Sequence, residues 1–538
     1  MLRFAGFELD EQRGELRGAD GAVVRLRPKT FDLLLQLAGN AGRVLSKDEL
    51  MAAVWPNVLV SDDSLFQCIR ELRVALHDEQ RQLIKAVSGR GYRFDAEVAG
   101  PAIAASLAAA AEGTVATPLA GAPAAPLLPK LAAVAIGLVV LVLAVLVIRP
   151  DLVFPRAPSI AVMPIGVADG DALAAQMASS IANRLSDGLA GITGLQVLAP
   201  GSAQADLVIS GELGRSGTAW TVEARLTSSA THNVEWTRSV TIDAAAVTDL
   251  AIQQSRLAAG LGHDLALYLN GLPDARATSD TSRVLIEQAT AYMNQTSLER
   301  FQAAQDMLEQ GLAADASNPD IQAALAAVLL RGVQMVWYPP DENAAARKRA
   351  GELLASALKG KPNSVPVQEA NCRFMATTNQ FKQSLVICAR TLEFDPWDGI
   401  ALYHFGLSQL YLGRFEEAVT TFRQADQYDT PEVSRWTWKL GMGWALLLMD
   451  RPAEALPWLE QAIAITPASG RAYLLVAAAQ YQLGHLDEAA AAMAKCLELR
   501  PGSTIANVGV PTENASPVFI AQSNRLLELG VAAGLPRG

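Results

Sequence analysis

The chain has 538 residues, 51% of them hydrophobic and 18% charged, with a formal net charge of −11. That length exceeds what one hydrophobic core can organise and implies about three or four domains. The acidic balance excludes a polyanion binder that works through the charge of the whole molecule, but leaves room for a local basic surface. Its 4 cysteines lack CxxC spacing and its 5 histidines form no HxxxH face, which excludes a disulfide scaffold and a zinc site.

In chain order, the first twenty residues include Arg3, Glu8, Asp10, Glu11 and Arg13 without a long apolar run, so they do not read as a signal peptide. Phe7 and Leu9, then Glu15 to Arg17, then Val23 to Leu26 predict a small antiparallel sheet with turns at Gly14 and Gly21. A helix is predicted from Pro28, with Phe31, Leu34, Leu35 and Ala38 inward at helical spacing. Ser46 and Glu49 have the spacing of a capping box, which opens a second helix that carries Leu50, Val54 and Trp55 and stops at Pro56. A third helix begins near Asp62 and buries Leu65, Ile69, Leu72 and Leu76. At 100° per residue this leaves Asp63, Gln67, Arg70, Glu71 and Val74 outward, with Ser64 and Arg73 at the margins. "AVSGRGYRF", residues 86 to 94, then predicts a β-hairpin with Arg90 at its tip.

Residues 1–98 thus form one domain, and 99–129, rich in alanine, proline and glycine, form a linker. Within 130–149, "LAAVAIGLVVLVLAVLVI" has no charge, proline or polar side chain. As a helix it rises about 27 Å, close to the thickness of bilayer hydrocarbon, and predicts a single transmembrane span. Residues 157–272 predict a small α/β domain, from "SIAVMPI" through a helix with Leu173, Met177, Ile181 and Leu185 inward to a strand with Trp220, Val222, Ala224 and Leu226 on one face.

Residues 284–507 are helical and periodic. Pro362, Pro396, Pro431, Pro467 and Pro501 recur at about 34 residues; Ala350, Ser384, Ala418, Ala455 and Ala489 precede them, and Leu354, Phe422, Leu459 and Met493 follow four residues after all of those but Ser384. Small residues let two helices approach while the large ones fill the groove between them, the signature of tetratricopeptide repeats. Residues 508–538 hold a capping helix and tail. The whole is a multidomain α+β chain: winged helix-turn-helix, single transmembrane helix, small α/β domain and all-α solenoid.

The motifs "LRPKTFDLLLQLAGNAGRVLSKDEL", "VWP", "IRELRVAL" and "GRGYRF", in that order, make residues 3 to 94 resemble the OmpR-type winged-helix DNA-binding domain. The resemblance implies a third helix in the DNA major groove and a hairpin wing beside the minor groove. Gln67 would then pair with adenine and Glu71 would accept from cytosine N4. Arg70 and Arg73 would bind phosphates, and Arg90 would suit a narrow minor groove. Asp62, Asp63 and Glu71 make this helix less basic than is usual in the family, so a homodimer on double-stranded DNA, or tandem sites, is expected to recover affinity.

A DNA-binding head joined to an apolar span and an outer sensor resembles the ToxR/CadC class of one-component regulators, which need no phosphorelay. It implies an inner-membrane protein with its N-terminus cytoplasmic and its C-terminus periplasmic. The nearby charges, Lys130 before the span against Arg149 and Arg156 offset by Asp151 after it, lean slightly the other way. In an oxidising periplasm Cys372 and Cys388, on facing helices of one repeat, are candidates for a disulfide, with two small buried core residues as the alternative. The repeat groove implies a periplasmic peptide or protein partner. The rival reading is a periplasmic scaffold for envelope or secretion proteins with a vestigial or protein-binding winged helix. No phosphate loop, nucleophile elbow or metal cluster is present in the sequence, so no enzyme activity, metal or cofactor is expected.

Overall fold

The computed structural model describes residues 2–10, 15–18, 23–24, 26–54, 62–76, 78, 82–87, 91–96, 157–167, 171–200, 202, 204–271, 280–293, 297–335, 337–509 and 512–538. The predicted linker, the predicted span and Arg90 at the wing tip lie outside the described residues. Among the described residues no helix is long and apolar enough to cross a membrane. The chain divides into two compact units, Met1–Ile136 and Gly137–Gly538.

In the first unit, β1 (Leu2–Phe4), β2 (Phe7–Asp10), β3 (Glu15–Arg17) and β4 (Val23–Val24) form an antiparallel sheet in sequence order. β1 is an addition to the sequence reading; it returns through Ala5 and Gly6, both at positive φ (42° and 84°). Then come α1 (Pro28–Gly39), β5 (Val44–Leu45), α2 (Lys47–Val54), α3 (Asp62–Ala75), β6 (Ile84–Val87) and β7 (Gly91–Phe94). Pro28 sits in the first turn of α1, where a missing N–H costs nothing.

α1 buries Leu33, Leu34, Leu37 and Ala38, whereas Phe31 and Leu35, expected inward, are half-buried. The inward face is rotated because α1 meets α2, α3 and β7 at once and follows no single partner. β5, also not anticipated, pairs with β7 to give the order β5-β7-β6. That approach requires glycine: Gly91 has φ 124°, and a Cβ there would lie 2.0 Å from the Leu45 carbonyl oxygen.

The second unit begins with β8 (Ser159–Val162), β9 (Gly166–Val167), α4 (Ala172–Ala190), β10 (Gln196–Leu198), β11 (Leu207–Ser216), β12 (Ala219–Ser228), β13 (Val234–Asp243) and α5 (Leu250–Gly271). The sheet runs β10-β8-β11-β12-β13, with β9 beside β11; β8 is parallel to both neighbours, and β11 to β13 are antiparallel. Trp220, Val222, Ala224 and Leu226 alternate into the core under α4 and α5. Met177, Ile181 and Leu185 also point inward, but Leu173 is 40% exposed. The first turn of α4, capped by Asp171, turns Ala174 inward in its stead.

Six antiparallel helix pairs follow: α6 (Asp280–Met293) with α7 (Leu298–Ala314), α8 (Pro319–Met335) with α9 (Pro340–Gly360), α10 (Val365–Thr377) with α11 (Phe381–Phe394), α12 (Gly399–Tyr411) with α13 (Phe415–Tyr428), α14 (Arg435–Leu448) with α15 (Pro452–Ile465), and α16 (Gly470–Gln482) with α17 (Leu486–Leu499). α18 (Pro517–Ala532) closes the array against α16. Ala350, Ser384, Ala418, Ala455 and Ala489 are fully buried between paired helices, and Leu354, Phe422, Leu459 and Met493 fill the space beside them. In the third pair Cys388 occupies the position of those large residues. It is joined in a disulfide to Cys372 of the facing helix, Cα to Cα 5.0 Å.

The sheet domain and the helix pairs share a core. Trp397, in the loop between α11 and α12, is 3% exposed and packs among the buried side chains of the sheet domain. Its ring lies so close to α4 and α5 that a Cβ at Gly188 or Gly262 would come within 2.0 or 2.6 Å of the indole. His263 of α5 meets the fully buried carboxylate of Asp395 at 2.5 Å. Arg256 of the same helix donates to the Asp426 carbonyl at 3.1 Å and lies 3.4 Å from the Asp429 carboxylate.

Candidate nucleic-acid interface

Helix α3 is held by its apolar stripe. Leu65, Ile69, Leu72 and Leu76 are at most 3% exposed and share one core with Leu33, Leu37, Leu50 and Phe94. Burying such side chains contributes roughly 1.5–3 kcal/mol each, so the rotation of α3 about its axis is fixed by packing. The opposite side of α3 therefore faces away from this core.

Of the residues expected on that face, Arg70 is exposed, with no hydrogen bond or ion pair to any described residue. Glu71, expected to accept from cytosine, is engaged inside the domain. Its Oε1 accepts the Arg27 backbone N–H at 3.2 Å and its Oε2 accepts the Thr30 hydroxyl at 3.0 Å. The Arg27 guanidinium adds an ion pair at 3.7 Å. Arg27 is the N-cap residue of α1 and has no side-chain cap of its own, so a carboxylate there satisfies an orphan N–H and complements the helix dipole.

Arg73, expected at a phosphate, donates to the Ile84 carbonyl at 3.0 Å and ties α3 to the first strand of the wing. Asp63, Ser64 and Gln67 fall on α3 between Asp62 and Ile69, and nothing is described of their side chains.

Four further residues position this surface. The Asp78 carboxylate, 4% exposed, accepts the backbone N–H groups of Gln82, Leu83 and Ile84 at 2.6, 3.0 and 2.8 Å and so fixes the entry to the wing. Lys29 donates to the Val54 carbonyl at 2.7 Å and caps the C-terminus of α2. Ser46 and Glu49 close the capping box at its other end, with bonds of 3.1 and 2.8 Å. The box is visible in the sequence. The Glu71, Asp78 and Lys29 contacts are not, since each partner is chosen by tertiary approach.

The domain can thus present one helix face, with a cation on it, beside a β-hairpin whose root is pinned. That is the equipment of a duplex reader that positions on phosphates. Residues 21–94 match the family described as "Transcriptional regulatory protein, C terminal", and residues 403–470 and 446–507 match tetratricopeptide repeats. The transcriptional regulator HilA of Salmonella typhi is 37% identical over 86 residues, 15% of this chain and 16% of that protein. The transcriptional activator CadC of Escherichia coli K12 is 38% identical over 78 residues, 14% and 15% of the two chains. The solved DNA-binding domain of Escherichia coli CadC is 31% identical, with 18% of this chain and 94% of that one covered and a TM-score of 0.17. The alignments with HilA and CadC span only about a sixth of those proteins. The chain therefore carries an OmpR-type DNA-binding domain homologous to those of the HilA and CadC regulators, and a C-terminal region of tetratricopeptide repeats.

Proposed function

We propose that the chain is a membrane-integrated transcriptional regulator, not an enzyme, which binds duplex DNA through its winged helix and couples binding to a periplasmic signal without phosphorelay. The observation that carries this reading is α3: a buried apolar stripe with Arg70 exposed opposite it and without a hydrogen bond or ion pair to any described residue, inside a domain homologous to the DNA-binding part of known regulators. In this reading α3 enters the major groove with Asp63, Ser64, Gln67 and Arg70 toward the DNA, and Arg90 reaches the minor groove. Glu71 and Arg73 orient α3 through α1 and the wing. Two heads bind as a homodimer.

The apolar run 131–148 supports a single inner-membrane span, with the N-terminus in the cytoplasm and residues 157–538 in the periplasm. The Cys372–Cys388 disulfide is consistent with an oxidising compartment. The repeats supply a groove for a periplasmic peptide or protein partner. Anisotropy of labelled duplex DNA titrated with the full-length chain in detergent, at several salt concentrations, tests the head; a steep loss of affinity with salt is expected. Absent or salt-insensitive binding would overturn the reading. Reporter fusions after residues 98 and 538 should report opposite sides of the membrane.

A further inference from the structure

The first helices of successive pairs, α8, α10, α12, α14 and α16, stand side by side and make one wall of the array. Arg435 of α14 is spent on Asp429 and Glu432; three other arginines lie on these helices. Arg331 of α8 lies 4.8 Å from the Trp436 ring and Arg471 of α16 lies 4.9 Å from the Trp444 ring. Neither has a hydrogen bond or an ion pair to any described residue. Arg373 of α10 is 9% exposed. Its one carboxylate partner among the described residues is Glu369, a turn away at 3.5 Å, and its Nε is buried without a partner.

Tyr403 lies on α12, the middle helix of the wall; burial raises the pKa of its phenol, and the charges that act against that rise are Arg471, Arg331 and Arg373. Next to it His404 is 1% exposed, with Nδ1 buried and unpartnered. Burial and the adjacent Arg373 push Arg331 down to about 10, and burial together with Arg373 and Arg331 holds His404 well below its ordinary value. Arg373 is buried and Arg331 and Arg471 are half-buried, and cations withdrawn from water are ordinarily paired with acids. Among the described residues, one carboxylate for these three arginines is a deficit of negative charge built into the wall.

We propose that this wall carries a binding site for a compact oxyanion, a phosphate or a polycarboxylate, held by Arg331, Arg373 and Arg471 around Tyr403. Planar guanidinium forks match such oxygens bidentately, and Trp436 and Trp444 fix the planes of two of them. The neighbouring concavity of about 820 Å³ between the sheet domain and the helix pairs offers no such site, because its cations are spent on its own acids: Lys439 on Asp426 at 2.8 Å, Arg256 on Asp429 at 3.4 Å, and Arg238 on Asp264. At the far end of the wall, Arg471 and Trp444 share a cavity of about 30 Å³ with Ser523 of α18, whose hydroxyl is buried and unpartnered.

The test is calorimetric titration of the full-length chain in detergent with inorganic phosphate and, separately, citrate, each against sodium chloride of equal ionic strength. Saturable binding of one or both is expected, and the stronger arm identifies the source of the oxyanion; if both bind, they must compete. Arg331→Gln and Arg471→Gln should each weaken binding at least tenfold, and Arg331→Lys should fall between. Because those residues lie on different helices, one variant remains informative if the other fails to fold. No saturable binding in either arm, two anions that bind without competing, or variants that bind as the wild type does would each overturn the site. No DNA enters the titration, so this inference and the regulator reading fail separately.

Discussion

The winged-helix domain and the joint between the sheet domain and the repeats both use charged side chains to lock helices, but under opposite solvation. In the winged helix the locking acid, Glu71, is 28% exposed and faces an arginine that is 73% exposed. At the joint Asp395 is fully buried, its partner His263 is 15% exposed, and Trp397 beside them is inside a core. Exposed pairs contribute little individually, whereas breaking a buried pair or emptying a core position costs several kcal/mol. Loss of the exposed Glu71–Arg27 pair should therefore cost the winged helix less than loss of the buried pair or of Trp397 costs the joint.

Trp397→Ala is the harshest way to break this contrast. It empties the space between Gly188 and Gly262, and loss of a buried tryptophan costs about 3–5 kcal/mol. Scanning calorimetry of the full chain should show the sheet domain and the repeats unfolding separately, with the winged-helix transition unmoved. A single unshifted transition for the second unit would mean that the shared core contributes no coupling.

The His263–Asp395 pair comes next and gives a pH signature. Burial would lower the His263 pKa, but the adjacent Asp395 carboxylate outweighs it and raises the value to about 9. With a raised pKa in the folded state, the stabilisation is fully present below the ordinary value of about 6.5, and fades as pH rises through about 9. The difference corresponds to about 3 kcal/mol. Melting of the second unit should fall between pH 6.5 and 9 in the wild type, and His263→Gln should flatten that slope. An unchanged slope in the variant would remove the pair from the account.

Glu71→Ala probes the exposed lock. Besides the ion pair it strands the fully buried Thr30 hydroxyl, and an unsatisfied buried hydroxyl costs about 1–3 kcal/mol. The first unit should melt earlier and bind DNA more weakly, yet the salt dependence of binding should persist, because Glu71 faces α1. A reduced salt slope would return Glu71 to the DNA.

How much of this was legible in the sequence follows the same division. The signals that worked were local: Pro28 at a helix start, the Ser46 and Glu49 box, the stripe Leu65, Ile69, Leu72 and Leu76, and the spacing of Ala350, Ser384, Ala418, Ala455 and Ala489. Each depends on neighbours within one or two turns, or on a repeat that copies itself. Trp397, at a repeat boundary, reads as one more loop aromatic, and nothing around it announces that its ring belongs to a core built from residues between Ile160 and Ala266. His263 and Asp395 are 132 positions apart, and Thr30 and Glu71 are 41 apart. Periodicity says which face of α3 is outward, but not that one of its outward acids has already been claimed by α1. For the candidate interface, the helix and its free face were readable, whereas the division of labour between Arg70 and its neighbours Glu71 and Arg73 was not.

That division sets the smallest effect on stability and the most discriminating one on function. Arg70 is exposed and makes no hydrogen bond or ion pair to any described residue, so Arg70→Ala should leave the melting of the first unit within about 0.5 kcal/mol. If Arg70 neutralises one phosphate, the slope of log affinity against log salt should fall by about 0.9 per head. Arg73→Ala should do the reverse, because its guanidinium holds the Ile84 carbonyl: the wing loosens and stability drops by about 1 kcal/mol, while the salt slope stays close to that of the wild type. If both variants lose slope equally, Arg73 leaves the wing to meet the duplex, and the unbound domain is a resting arrangement of that side chain rather than its working one.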